Sequence, residues 1–304
     1  METWERISGW MKEVYADDLF EKSGQTAGHP LLAAEQAWRQ FCLVPADFLR
    51  MSSEKVDDKA FRSASAFLMY HWGAGHTAGL SLGNASSGNY NVAFTLLRSF
   101  VELLFKGVLF QCLAHSIYRE RLSSALKPTD ALVLFSSHLS SMIKERTSDV
   151  TELESNTVVI FDLLGGDWMQ SAFRLDMRSV VQQVADWGIL GRLHDDPART
   201  VCDLYGHLSE NVHERIERTD IGRAIEEGTD IFEWPAPILP KSLVEFLDEF
   251  HLAMEAGVIA ELNLVRTMVP DSRLREKCQQ LLRNQAFRMA NLGQASKLLK
   301  DWSS

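Results

Sequence analysis

The sequence predicts an all-α protein, a multi-helix bundle built around one buried helix at residues 89–114 and closed by a C-terminal helical hairpin. Three observations carry this. The stretch N-Y-N-V-A-F-T-L-L-R-S-F-V-E-L-L-F-K-G-V-L-F-Q-C-L-A is apolar on nearly every side, with Val92, Phe94, Leu96, Leu97, Phe100, Val101, Leu103, Leu104, Phe105, Val108, Leu109 and Phe110 leaving no broad polar face. A helix of that kind belongs in a core. Helical spacing of apolar residues dominates the remainder, and no pair of alternating strands appears. Finally, cap and proline signals recur at intervals that suit helices of ordinary length.

Taken in order, Trp4, Ile7, Trp10, Met11, Val14 and Tyr15 give an amphipathic opening helix over residues 2–20, ending near Ser23-Gly24. Pro30 opens a helix through Leu43 and Pro45 a short one through Met51, because proline is tolerated where the amide would be unpaired. A third helix runs from about Lys55 towards Leu82, and G-N-A-S-S-G turns the chain into the central helix. Pro128-Thr129-Asp130 starts a helix carrying Leu132, Phe135, Leu139 and Met142. Thr151 with Glu154 forms a capping box for the next, and the V-V-I-F-D-L-L run is read as helix because a lone strand lacks a partner. Trp168 to Ile189 reads as one helix, and Asp196-Pro197 caps another through roughly His213. The proline-dense W-P-A-P-I-L-P is a linker, followed by helices at about Lys241–Met268 and Asp271–Trp302. The chain thus divides into an N-terminal helical segment (1–55), a core bundle (56–233) and a C-terminal hairpin (241–304) packed on it.

With 304 residues, 46% hydrophobic and 24% charged, the composition is that of a soluble globular protein with ample core. The net charge of −10 disfavours a protein-wide surface for nucleic acid or anionic membrane. It is unevenly spread, since residues 271–301 carry +4 and the rest −14. That basic arm reads as a solvated face before it reads as an RNA or acidic-partner patch. Cys42, Cys112, Cys202 and Cys278 stand singly, which argues against a zinc site and fits a reducing, cytoplasmic location. The first ten residues lack a secretory pattern, and Glu102 and Lys106 interrupt the most apolar run before it could span a membrane. His71 and His76, five apart and without a carboxylate repeat, read as packing or surface residues. Gly79, Gly83 and Gly88 lack the Lys-Ser/Thr ending of a phosphate loop and read as a helix-helix turn. No cofactor and no metal is expected.

Within the central helix a thin polar stripe survives. Asn91, Thr95, Arg98, Glu102 and Lys106 follow one another at steps of four, three, four and four, so they share one side. Charges inside a core need partners. Tyr205, Ser209 and His213 form a second stripe on the helix opened by Pro197, and the two stripes are expected to face each other. That pairing serves either to fix helix register or to build a site.

The pattern G-x-Y-x-x-A-x-x-L-x-R-S-x-x-E-L from Gly88 to Leu103, followed by Y-x-x-L-S-x-x-x-H from Tyr205 to His213, resembles an uncharacterised family of prokaryotic helical proteins. That family in turn resembles the HEPN superfamily, which includes RNases of toxin–antitoxin and phage-defence systems. The likeness spans about residues 60–215 and rests on few positions. It implies metal-independent action on RNA at a dimer interface, through an Arg followed after four to six residues by a His. His213 stands for that His, but Gly206, His207 and Leu208 occupy the places of the Arg. By the resemblance the candidate site residues are His213, Arg98, Glu102, Ser209, Tyr205 and His207, with His207 or Arg98 supplying charge for phosphate and His213 proton transfer. Two function classes follow. One is a HEPN-like effector or accessory protein of a host-defence or toxin-type system, an RNase with an altered motif. The other is a helical module that binds protein, as a homo-oligomer or with another partner, its polar stripes purely architectural.

Overall fold

The computed structural model describes residues 17–52, 66–122, 126–127, 130–145, 175–191, 193–212, 216–229, 238–268 and 293–301. Among these every regular element is a helix: α1 (Asp17–Ser52), α2 (Ala66–Ser86), α3 (Tyr90–Leu113), α4 (Ser116–Arg119), α5 (Ala131–Glu145), α6 (Met177–Asp186), α7 (Pro197–Val212), α8 (Asp220–Glu226), α9 (Pro240–Met268) and α10 (Gly293–Asp301). The expected all-α class is therefore what the chain adopts.

Helix α3 is the predicted central element, and its place follows from composition. Phe94, Leu97, Phe100, Leu104, Phe105, Val108 and Phe110 are all buried, each Phe contributing roughly 1.5–3 kcal/mol by leaving water. It pairs antiparallel with α2: Ser81 donates to the Ala93 carbonyl at one end, and the Gln111 side chain accepts from the Phe67 amide at the other. Their approach is close because Gly107 has no side chain, and a Cβ there would stand 2.6 Å from Tyr70 Cβ. Between the helices, Gly88 takes φ +79° while the Asn89 and Gly88 amides bond back to Asn84 and Ala85. Glycine at that position ends a helix in the left-handed conformation without a steric penalty.

Around this hairpin, α1 and α9 pack against one another, with α9 also on α3, and α6 and α7 complete the bundle. Phe41, Phe246 and Phe250 join the α3 aromatics, so residues from all three sequence segments share one core. The Tyr90 hydroxyl accepts from the Leu239 amide and donates to its carbonyl, fixing the start of α3 to the start of α9. The Glu227 carboxylate receives the Lys241 and Ser242 amides and so caps α9 from the end of α8. Helix α10 meets α9 where Glu255 accepts from the Gln294 amide at 2.5 Å.

Several boundaries differ from expectation. The expected break near Ser23-Gly24 falls at Ala27 instead, whose non-helical φ −142°, ψ 39° divides α1 into two helical runs at a kink, and the second run continues through Pro45 without a separate start. Pro30 lacks the amide that would bond to the Thr26 carbonyl, which places the bend ahead of it. Most of G-N-A-S-S belongs to α2 and only Ser87 and Gly88 turn. Helix α6 begins at Met177, capped by the Asp176 carboxylate on the Ser179 amide, and ends at Asp186, not Ile189. The short α4 and α8 were not anticipated. Capping-box residues Thr151 and Glu154, the V-V-I-F-D-L-L run, the opening residues 2–16 and most of the last hairpin arm lie outside the described residues.

Candidate functional site

The two polar stripes do meet. Arg98 donates from Nε and Nη2 to the Tyr205 hydroxyl at 3.2 and 2.9 Å, and that hydroxyl donates to Glu102 Oε1 at 2.6 Å. Arg98 and Glu102 are also paired along their own helix at 3.2 Å, with Lys106 3.5 Å from the other carboxylate oxygen. The guanidinium carbon sits 5.2 Å from the Tyr205 ring centre. Burial, then the bond to Glu102, raises the Tyr205 phenol above its usual range, so it holds its proton and bridges the two charges.

The cluster sits at the rim of the bundle, contrary to the expectation of a stripe sunk in the core. Arg98 and Glu102 are each 28% exposed, and Asn91 and Thr95 face solvent. Only the apolar rows beside them turn fully inward. Ser209 does not join, because its hydroxyl donates to the Tyr205 carbonyl on its own helix. His207 points elsewhere: 67% exposed, it stands 3.9 Å from Glu249 on α9. His213 lies outside the described residues.

Sequence reasoning missed the neighbouring group on α7, α8 and α9. Arg223 is buried, donates to Asn211 at 2.5 Å and to Glu245 at 2.9 Å, and lies 4.7 Å over the Phe94 ring. Arg218 shares Glu245 at 3.0 Å. Beside them Glu249 Oε2 is buried with no hydrogen-bond partner among the described residues. Burial first, and the Glu245 charge second, push the Glu249 carboxyl up to about 7. The only signal in sequence was the spacing of Glu245 and Glu249 on one helix face. His71, read as packing or surface, is buried and forms a pair with Glu261 of α9.

A cavity of about 420 Å³ opens between α6 and α7, lined by Leu126, Arg178, Ser179, Gln182, Asp196 and Cys202 among others. None of the sequence-predicted site residues among the described ones lines it. Among the described residues no group of three or more His, Cys, Asp or Glu side chains could hold a metal ion, and no helix is long and apolar enough to cross a membrane. Comparison with protein-family models, with curated proteins and with solved structures finds no match.

Proposed function

We propose that this chain is a helical protein–protein interaction module, in which the Arg98–Glu102–Tyr205 cluster serves to hold α7 on α3. What supports the reading is that the cluster is closed on itself: guanidinium, phenol and carboxylate satisfy one another, so no member is left as a free base. The described surface offers a partner something different, the outer side of α2, where Trp72 is 82% exposed. Met69 and Leu80 of the same helix are exposed as well, and a contiguous apolar patch supports a contact surface where one side chain would not.

A second reading keeps the HEPN-like assignment, an effector or accessory protein of a host-defence or toxin-type system that cleaves RNA without metal. It is favoured by the partial exposure of Arg98, within reach of a phosphate at the rim, with His213 as the proton-transfer group. Since His207 is directed at Glu249, Arg98 alone would carry the phosphate charge. Incubating the purified chain with mixed RNA in chelator separates the two. The interaction reading expects no cleavage. Cleavage by the wild type that His213→Ala abolishes, with helical circular dichroism intact, would replace it with the RNase.

A further inference from the structure

We propose that the cavity between α6 and α7 binds a small organic monocarboxylate, its charge met by Arg178 and Arg199 and its hydrocarbon tail laid over Leu126, Ala198 and Cys202. The inference goes beyond the protein-binding reading and does not depend on it.

The cavity holds about 420 Å³, inside the range of sites that take small ligands. Much of its wall comes from the first turns of two helices, Arg178 and Ser179 on α6 and Ala198 and Arg199 on α7. The helix starts themselves are already capped. Asp176 accepts from the Ser179 amide and hydroxyl, both at 3.1 Å, and Asp196 accepts from the Arg199 amide at 3.0 Å. Gln182, also on the wall, donates to Asp186 at 2.8 Å. Recognition therefore falls to side chains whose donors are not spent on the fold, and those are the two arginines.

Among the described residues Arg178 forms no ion pair. Its charge nevertheless reaches α7: burial raises the Cys202 thiol, and Arg178 is the charge that pulls it back. A guanidinium carried by one helix thus acts on a group of the other, across the space between them. Arg199 meets Asp203 through Nε at 3.5 Å, with the two side chains 78% and 64% exposed. That is a weak surface pair, which a ligand carboxylate can displace.

The lining sets the class of ligand. Two guanidiniums against the Asp196 carboxylate leave one net positive charge, which suits a single carboxylate better than a doubly charged phosphate ester. Guanidinium and carboxylate also match as planar, bidentate partners. Leu126, Ala198 and Cys202, its thiol kept neutral by burial, give the rest of the ligand an apolar surface and so favour carbon there.

The test uses the full chain. Calorimetric titration with butyrate, hexanoate and octanoate should show saturable binding that tightens with chain length and weakens with salt. Hexanol, the same tail without the charge, should not bind over the same concentrations, and hexyl phosphate should bind more weakly than hexanoate. Arg178→Gln and Arg199→Gln, both at exposed positions, should each weaken hexanoate roughly ten-fold or more with circular dichroism unchanged, through loss of a charge-assisted hydrogen bond. Alkylation read by mass spectrometry locates the ligand: hexanoate should slow modification of Cys202 several-fold and leave Cys42 at its ligand-free rate. No saturable heat with any of the three carboxylates, or equal binding of hexanol, overturns the inference. Tighter binding of hexyl phosphate overturns the carboxylate class. Binding that neither arginine variant weakens, or that leaves Cys202 at its ligand-free rate, overturns the site.

Discussion

Replacing His71 by Leu should cost more stability than any single substitution at the Arg98 cluster. Glu261 is fully buried on α9, and His71 Nδ1 stands 2.5 Å from its Oε1. Phe41 and Phe67 flank the imidazole, with ring centres 4.5 and 5.6 Å away. Burial drives the Glu261 carboxyl upward and His71 pulls it back, so the imidazole is what makes a polar group tolerable there. Its other oxygen, Oε2, has no hydrogen-bond partner among the described residues. Taking away His71 strands the carboxyl, and breaking a buried pair this way costs about 3–5 kcal/mol. For a chain of this length that is roughly 5–8 °C in melting temperature. Glu261→Leu leaves only the imidazole without its partner, a smaller cost of about 1–3 kcal/mol. In the double variant His71→Leu/Glu261→Leu no polar group is stranded, and replacement of a buried pair by apolar residues of similar volume is often neutral or stabilising. Denaturant unfolding of all four proteins gives the coupling directly. If the double variant loses the sum of the two singles, the pair is not what makes each single costly. If His71→Leu is unchanged from wild type, the site is hydrated and the argument fails.

Glu249 supplies a pH dependence. Its folded-state value of about 7 exceeds the ordinary 4.5, so the folded protein binds the extra proton and stability falls as pH rises through that interval. Between pH 4.5 and 7 the wild type should lose about 3 kcal/mol relative to Glu249→Gln, measured by denaturant unfolding across pH; parallel profiles would refute the placement. At the stripe, Arg98→Ala should cost only about 1–2 kcal/mol, since Glu102 keeps Tyr205 and Lys106 and all are partly solvated. Tyr205→Phe should cost a similar amount in thermal unfolding, by stranding the donors of Arg98 and the acceptor of Glu102.

The fold class was legible because a helix with no broad polar face belongs in a core, and residues 90–113 carry only a thin polar stripe. The end of α3, the Asp196-Pro197 start of α7 and the start of α9 near Lys241 were legible for the same local reason: each signal acts within one turn of helix. The continuation of α1 past the kink at Ala27 and through Pro45 was not. Pro30 and Pro45 each remove one backbone hydrogen bond, and whether the helix stops or bends depends on what packs beside it. Phe41 and Trp38, buried or half-buried against α2 and α9, hold the segment between the two prolines.

Steps of four along α3 and α7 identified which side chains share a side, and the meeting of Arg98 and Glu102 with Tyr205 follows from two such stripes and a helix contact. Depth does not follow. Periodicity gives the direction in which a side chain leaves its helix but not what stands opposite, so a rim was indistinguishable from a core. The same limit hid Arg223, whose partners Asn211 and Glu245 lie 12 and 22 residues away on two other helices. It also gave α2 a misleading look. Apolar on every side, α2 has the pattern of a fully buried helix, yet Trp72 and Met69 stand in solvent. Among the described residues the bundle covers two sides of that helix and leaves the third, which periodicity along one helix cannot show.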